Sequence, residues 1–295
     1  MASLKSTKQI NTNTSNIDTS TNNHNHSARN ISKDHSNSSK FIIYHQNIQG
    51  ISKKIDEFSI SLCYNRPQII CLTEHHLKAE EINNINLDPY KLGTSFCRKK
   101  QKHGGACIYV SKSLQFSAIN LEKFHREKDL EICALKLNIQ TKNFIIICIY
   151  RSPTGDFTYF LTKLEIILNE LNNISNEFII CGDFNIDYIK DSSRKHLLDS
   201  ILASFNLFST VKFPTRIFKN TSTQIDNIFA NIYNLDFTVY PVVNGLSDHD
   251  AQIIALTNIT TFIPKQSFSL IRKIDDHAIK NFVYLLSFEN WDNVF

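Results

Sequence analysis

The chain has 295 residues, enough for one large domain or two small ones, and its 42% hydrophobic and 20% charged content excludes disorder of the whole. The 32 Lys and Arg against 28 Asp and Glu leave a formal +4, permissive for nucleic acid but too small an excess to imply it unaided. Only 7 Gly and 6 Pro occur, well under the roughly 7% and 5% usual in proteins.

No stretch reaches the roughly 18 uninterrupted apolar residues of a membrane span. The opening MASLKSTKQINTNTSN lacks the apolar core of a secretory signal. Six of the 7 cysteines, Cys71, Cys97, Cys107, Cys133, Cys148 and Cys181, lie in or beside apolar runs. They read as buried free thiols in a reducing compartment, which points to an intracellular protein of the nucleus or cytoplasm. No two are spaced as a zinc ribbon or knuckle requires.

Residues 1–39 form a Ser, Thr, Asn and His tract with too little apolar surface to offset the entropy of ordering, and are expected to be disordered. FIIYHQN then reads as a strand, GISKKIDEFSISLC as a helix carrying Ile51, Ile55, Phe58 and Leu62, and PQIICLTE as a second strand completing a β-α-β unit. YKLGTSFCR, GACIYV, LQFSAI, LEICALKL and NFIIICIY are strand-like runs suited to antiparallel pairing. A helix is expected over about 156–172, where Phe157, Phe160, Leu161, Leu164, Ile167, Leu168 and Leu171 make one stripe. Strand EFIICGD, a helix near 194–205 and the runs NLFSTV, QIDNIFA, FTVYPVV and AQIIALT follow. This order fits an α/β class better explained by two mostly antiparallel sheets faced by helices than by a doubly wound parallel sheet. Residues 259–295 read as a linker and one amphipathic helix near 275–289.

Polar residues recur just past the ends of the buried strands, where function is displayed. They are Asn47, Glu74, Tyr150, Asp183, Asn185, Asp226, Asp248 and His249. A hydrolytic Mg²⁺ site needs hard oxygen ligands, a proton acceptor for water and donors facing phosphate charge, and this set supplies all three. His75 and His76 are read as structural or substrate-side groups rather than ligands, since neighbours on an extended backbone face opposite ways. The basic run Arg98, Lys99, Lys100 and Lys102 precedes His103-Gly104-Gly105 in an expected loop, either a phosphate contact or a solvated hairpin tip. Lys212, Arg216 and Lys219 make a weaker patch.

In order along 41–258, Asn47-Ile-Gln-Gly, Leu-Thr-Glu74, Tyr150-Arg-Ser-Pro153, Gly182-Asp-Phe-Asn185, Ile225-Asp226 and Ser247-Asp248-His249 resemble the endonuclease/exonuclease/phosphatase superfamily, the DNase I-like phosphodiesterases. The resemblance implies a four-layer α/β sandwich over residues 40–258. It implies that Glu74 holds Mg²⁺ (or Mn²⁺), with Asn47 and Asp248 beside it, and that Asp183 deprotonates the attacking water. Asn185 then positions its neighbour and the phosphate, His249 contacts a phosphate oxygen with Asp226 on its other ring nitrogen, and Tyr150 stabilises phosphate or leaving-group charge. Arg98 and Lys100 are the expected substrate contacts, with Thr223 as the Ser or Thr that similar enzymes carry near Ile-Asp.

Within the superfamily, Leu-Thr-Glu, Tyr-Arg-Ser-Pro and Ser-Asp-His-Asp-Ala-Gln look most like endonucleases of non-LTR retrotransposons. These nick double-stranded DNA and precede a reverse transcriptase. The Tyr/Phe-x-Asp-Asp signature of that polymerase is missing, because the Asp275-Asp276 pair follows Lys273-Ile274. The expectation is therefore an endonuclease segment whose reverse transcriptase is absent. A non-catalytic nucleic-acid-binding remnant and a phosphatase on lipid or inositol phosphates are the alternatives; protein partners are not legible.

Overall fold

A computed structural model describes residues 40–139, 142–173, 176–257, 259 and 276–289. The amino-terminal tract expected to be disordered and most of the expected linker lie outside them.

The first sheet is built from β1 (Phe41–Asn47), β2 (Ile69–Thr73), β3 (Tyr90–Phe96) and β4 (Ala106–Ser111), joined much later in the chain by two further strands. The second contains β5 (Phe116–Ile119), β6 (Glu131–Ile139), β7 (Lys142–Tyr150), β8 (Asn176–Asp183), β9 (Phe208–Ser209) and, after a separate hairpin of β10 (Arg216–Phe218) and β11 (Thr221–Thr223), β12 (Asp226–Ala230). Strands β13 (Phe237–Val242) and β14 (Ala251–Leu256) complete the first sheet, in the order β13-β14-β1-β2-β4-β3; the second runs β5-β6-β7-β8-β12-β9.

Strands β1 and β2 pair parallel, as do β7 and β8, and the other pairings are antiparallel, so both six-stranded sheets are mixed. Each parallel pair needs a crossover, supplied by α1 (Ile55–Asn65) in the first sheet and α3 (Phe157–Leu171) in the second. Pro241 lies on β13, an edge strand, where the missing N–H costs no ladder bond. Asp156 caps α3 by accepting from the Tyr159 N–H, and Ser192 caps α4 (Ser193–Ala203) by accepting from the Lys195 N–H. The short α2 (Ala79–Ile82), the 3₁₀ turn Glu122–Phe124 and the β10–β11 hairpin carry too few residues for a readable period, and the sequence did not announce them.

Three apolar clusters separate the layers. One lies between the sheets (Ile43, Ile108, Leu135, Ile146, Ile254), one joins the second sheet to α3 and α4 (Ile147, Phe160, Leu164, Leu168, Leu198), and one joins the first sheet to α1 (Tyr44, Phe58, Leu62, Ile70). The result is the expected helix–sheet–sheet–helix sandwich. Cys71, Cys133, Cys148 and Cys181 are buried between the sheets and Cys107 lies under α1, while Cys97 is half-buried and Cys63 exposed. All are free, and burial pushes the Cys71, Cys107 and Cys133 thiols up, which leaves them unreactive. Among the described residues no helix is long and apolar enough to cross a membrane. The 275–289 region contains α5 (Asp276–Leu286), whose Ile279, Phe282, Val283, Tyr284 and Leu285 are exposed.

The parallel pairs matter because all four of their strands run toward the same edge. Asn47 ends β1, Thr73 ends β2 just before Glu74, Tyr150 ends β7 and Asp183 ends β8. Asp226 opens the antiparallel β12 directly opposite Asp183, so it arrives at that edge from the other direction.

Candidate active site

Contacts across the two sheets assemble the centre. The Asn47 Nδ2 donates to Asp183 Oδ2 at 2.8 Å and to Glu74 Oε1 at 2.9 Å, so one amide from the first sheet bridges two carboxylates. The His249 Nδ1 lies 2.8 Å from Asp226 Oδ2, which also accepts from the Thr215 hydroxyl at 2.8 Å. Asp183, Asp226 and His249 are all buried and each offers a ligand atom within 4.8 Å of the others. Packing two carboxylates opposite each other on adjacent strands is unfavourable without a cation or proton, so this arrangement defines an ion- or proton-handling site.

Electrostatics divide the acids into distinct roles. Burial, and then the neighbouring Asp226 charge, raise the Asp183 carboxyl to about 7, poised near neutrality for proton acceptance. Burial also opposes Glu74 ionisation, yet hydrogen bonds from His76, Asn47 and Tyr150 outweigh it and lower that carboxyl to about 2. Glu74 is thus a permanent anion. Burial alone would depress His249, but the Asp226 carboxylate, with Asp183 and Asp248 beyond it, raises the imidazole to about 9. Tyr150 is raised by burial and by the Glu74 and Asp183 charges, so its hydroxyl stays protonated and can donate.

The His249 shift carries a stability consequence. Its folded value of about 9 lies above the ordinary 6.5, so the folded protein holds this proton after the unfolded chain has released it. The stabilisation is therefore complete below about pH 6.5 and is lost as pH rises through 9. In EDTA, stability measured by urea unfolding is expected to fall by about 2 kcal/mol between about pH 7 and 8.5, and to stay nearly flat over that interval in Asp226→Asn. An equal slope in both proteins would contradict the assignment of the charge to this pair.

Residues that the sequence reading passed over hold the centre in place. Arg151 is fully buried and donates to the carbonyls of Phe184 at 2.9 Å, Asn185 at 3.0 Å and Ser152 at 3.0 Å. Its own carbonyl accepts from Asn185 Nδ2 at 2.8 Å, while the Asn185 N–H donates to Asp183 Oδ1 at 2.9 Å. One guanidinium thereby fixes the Asp183–Asn185 turn, including the left-handed backbone of Asn185 (φ 50°). The clue was present in Tyr-Arg-Ser-Pro, where a charge directly follows an apolar strand. Thr215, just before β10, supports Asp226 through its hydroxyl, a role unreadable until the chain folds.

The remaining expected residues distribute as follows. Asp248 pairs with Arg216, its Oδ2 accepting from Nε at 2.8 Å. Thr223 sits on β11, where its carbonyl accepts from the Thr215 N–H at 2.9 Å. Arg98 is buried, with Nε donating to the fully buried Glu131 at 2.6 Å and its guanidinium 5.7 Å from the Tyr150 ring. Lys100 is exposed on a loop whose N–H groups at Lys99, Lys100 and Gln101 all donate to the Glu127 carboxylate at 2.6–2.9 Å. His75 is buried and lowered to about 4 by that burial, its Nε2 donating to the Phe96 carbonyl at 3.0 Å and its Nδ1 accepting from the Leu77 N–H. His76 instead faces Glu74 at 3.1 Å. Opposite orientation thus holds for the two histidines, although the backbone is left-handed rather than extended at Glu74 and His76 (φ 51° and 61°). Gly105 is required beside them: its φ is +98°, and a Cβ there would meet His75 Nε2 at 2.4 Å.

The donor set fits a hard divalent cation. Its anionic donors are all carboxylate oxygens, and the buried Asp226 Oδ1 and Asp248 Oδ1 have no hydrogen-bond partner. Buried acid oxygens left without donors are what a bound cation satisfies.

A two-sheet α/β sandwich thus displays an edge of acids, amides and one histidine. The profile of the Endonuclease/Exonuclease/phosphatase family matches residues 45–249, and the chain belongs to that family. Among solved structures, the endonuclease domain of TRAS1, a telomere-specific non-LTR retrotransposon, shares 15% identity at a TM-score of 0.60, covering 74% of this chain and 98% of that one. The AP endonuclease LMAP from Leishmania major shares 14% at 0.58 (74% and 88%), and a humanized D. rerio TDP2 shares 13% at 0.55 (75% and 100%). At these identities the likeness establishes the fold. Comparison with curated protein sequences gives no match.

Proposed function

We propose that the chain is a Mg²⁺-dependent phosphodiesterase that nicks double-stranded DNA, most similar in role to non-LTR retrotransposon endonucleases. The observation that carries this reading is the Asp183–Asp226–His249 cluster joined to Glu74 through the Asn47 amide. Glu74, with Asn47 at 2.9 Å from it and with Asp248, would hold the cation, which when bound would supply positive charge against the charge developing on the phosphate.

The chain's own residues supply the rest. Asp183, which becomes ionised as pH rises through about 7, takes a proton from water as the oxygen attacks phosphorus. Asn185 keeps that carboxylate in place through its N–H. His249 stays protonated, and with Nδ1 held by Asp226 it turns Nε2 toward a non-bridging oxygen, countering the charge that builds there. Tyr150 donates from a neutral hydroxyl. The P–O3′ bond breaks and the departing oxygen takes a proton from solvent water, leaving a 3′ hydroxyl and a 5′ phosphate. TDP2 from D. rerio, of the same fold, has been solved with a single-strand DNA product, which supports a nucleic-acid substrate for this edge.

Supercoiled plasmid incubated with protein and Mg²⁺ is expected to relax to the nicked circle, and EDTA is expected to stop the conversion. Unaltered nicking by His249→Ala would overturn the reading. Binding that persists in EDTA without cleavage in Mg²⁺ would replace it with a non-catalytic module. Phosphate release from inositol or lipid phosphates, with DNA untouched, would replace it with a phosphatase.

A further inference from the structure

His76 and His103 stand 27 residues apart in sequence, yet their Nδ1 atoms lie 3.3 Å apart and their rings meet edge-on at 4.5 Å. Both residues have left-handed backbones (φ 61° and 64°), a costly conformation outside glycine. The backbone stitches the two loops together: the Glu74 N–H donates to the Gly105 carbonyl at 2.8 Å and the His76 N–H to the Gly104 carbonyl at 2.9 Å. The imidazoles are therefore set against each other by a built frame, at the protein surface.

The far side of the His76 ring is also arranged. Its Nε2 lies 3.1 Å from Glu74 Oε2, and with Nε2 donating to that carboxylate Nδ1 presents a lone pair toward His103. A carboxylate on the second ring nitrogen is the usual orienting partner of a metal-binding histidine. Two nitrogens bound to one tetrahedral Zn²⁺ at 2.0–2.1 Å are separated by about 3.3 Å, the spacing found here.

We propose that His76 and His103 form a two-histidine site for a transition-metal ion of the Zn²⁺ class, distinct from the oxygen-lined Mg²⁺ centre and separated from it by the Glu74 side chain. Imidazole pairs select Zn²⁺, Cu²⁺ or Ni²⁺ over Mg²⁺ and Ca²⁺, whose preference is for oxygen. With two protein ligands the site keeps open positions for water. It uses no residue assigned to the chemistry except Glu74, which acts through its hydrogen bond, and it holds whether or not the chain cuts DNA.

The test is Zn²⁺ titration of the full chain against a chromophoric chelator in excess Mg²⁺. The tail histidines His24, His26 and His35 and the exposed Cys63 offer further Zn²⁺-ligand atoms, so the readout is a difference in stoichiometry. Wild-type protein is expected to bind one equivalent more than His103→Asn or His76→Asn, since asparagine tolerates left-handed backbone and preserves the loops. Lys102→Ala, one residue away, is expected to match the wild type. In NMR spectra the ring-nitrogen signals of both His76 and His103 are expected to move on Zn²⁺ addition. Equal stoichiometry in wild type and His103→Asn, or unmoved ring nitrogens, would show that the pair is only a hydrogen bond and overturn the proposal. If His76→Asn fails to fold, the exposed His103→Asn decides alone.

Discussion

Asp183→Asn is expected to slow Mg²⁺-dependent strand nicking by roughly 10²–10⁴-fold, the range contributed by a positioned general base. The substitution preserves the shape of the side chain. The new amide oxygen can still accept from Asn47 Nδ2 or from the Asn185 N–H, which the carboxylate now does at 2.8 and 2.9 Å. The capacity to take a proton is lost, together with one of these two hydrogen bonds, because the new NH2 group can only donate. The fold is expected to gain rather than suffer, because burial, and then the neighbouring Asp226 charge, oppose ionisation of this carboxyl and drive it up to about 7. The metal-free variant should therefore unfold at equal or higher urea concentration while its turnover collapses, a trade-off typical of residues placed for function. Wild-type turnover in this variant would remove Asp183 from the chemistry; a loss of activity accompanied by a loss of stability would recast it as structural.

Glu131→Ala is expected to have the largest effect on stability, about 3–5 kcal/mol, because it strands a buried cation. Glu131 is fully buried at the start of β6 and accepts from Arg98 Nε at 2.6 Å, from the Gly105 N–H at 2.6 Å and from the Lys128 N–H at 2.7 Å. Burial raises its carboxyl, though the Arg98 guanidinium and these N–H groups oppose the rise. Without the carboxylate, Arg98 faces Tyr150 and two orphaned amide donors with no counter-charge. The loss is comparable to much of the total stability of an ordinary domain. Adding Arg98→Met to the same chain is expected to restore part of it, since the uncompensated charge rather than the missing bond dominates. Urea unfolding of both single variants and the double variant measures the coupling, and strict additivity would refute the pairing.

This second case shows why the basic run was ambiguous in sequence. Arg98, Lys99, Lys100 and Lys102 look alike as a row of charges, but folding sends Arg98 inward to Glu131 and leaves Lys100 exposed on a loop tied down by Glu127. Which lysine or arginine meets a carboxylate depends on a partner about thirty residues further on, and no local pattern announces it. The same holds for His103, whose neighbour is His76, and for Thr215, whose neighbour is Asp226.

What the sequence determined by itself was the set of layers and the polar residues at their edge. Apolar runs of strand length that end in Asn47, Glu74, Tyr150 and Asp183 dictate buried strands with polar termini, and the stripe from Phe157 to Leu171 dictates the helix covering the second sheet. These signals are local, because burial imposes a period on neighbouring residues. The tertiary structure alone decided which of those termini touch: that Asn47 spans Glu74 and Asp183 from opposite sheets, that Arg151 locks the turn beneath them, and that Asp248 turns to Arg216. Side-chain partners brought together across two sheets leave no period in the chain, since their geometry comes from strand order and sheet packing rather than from spacing along the sequence.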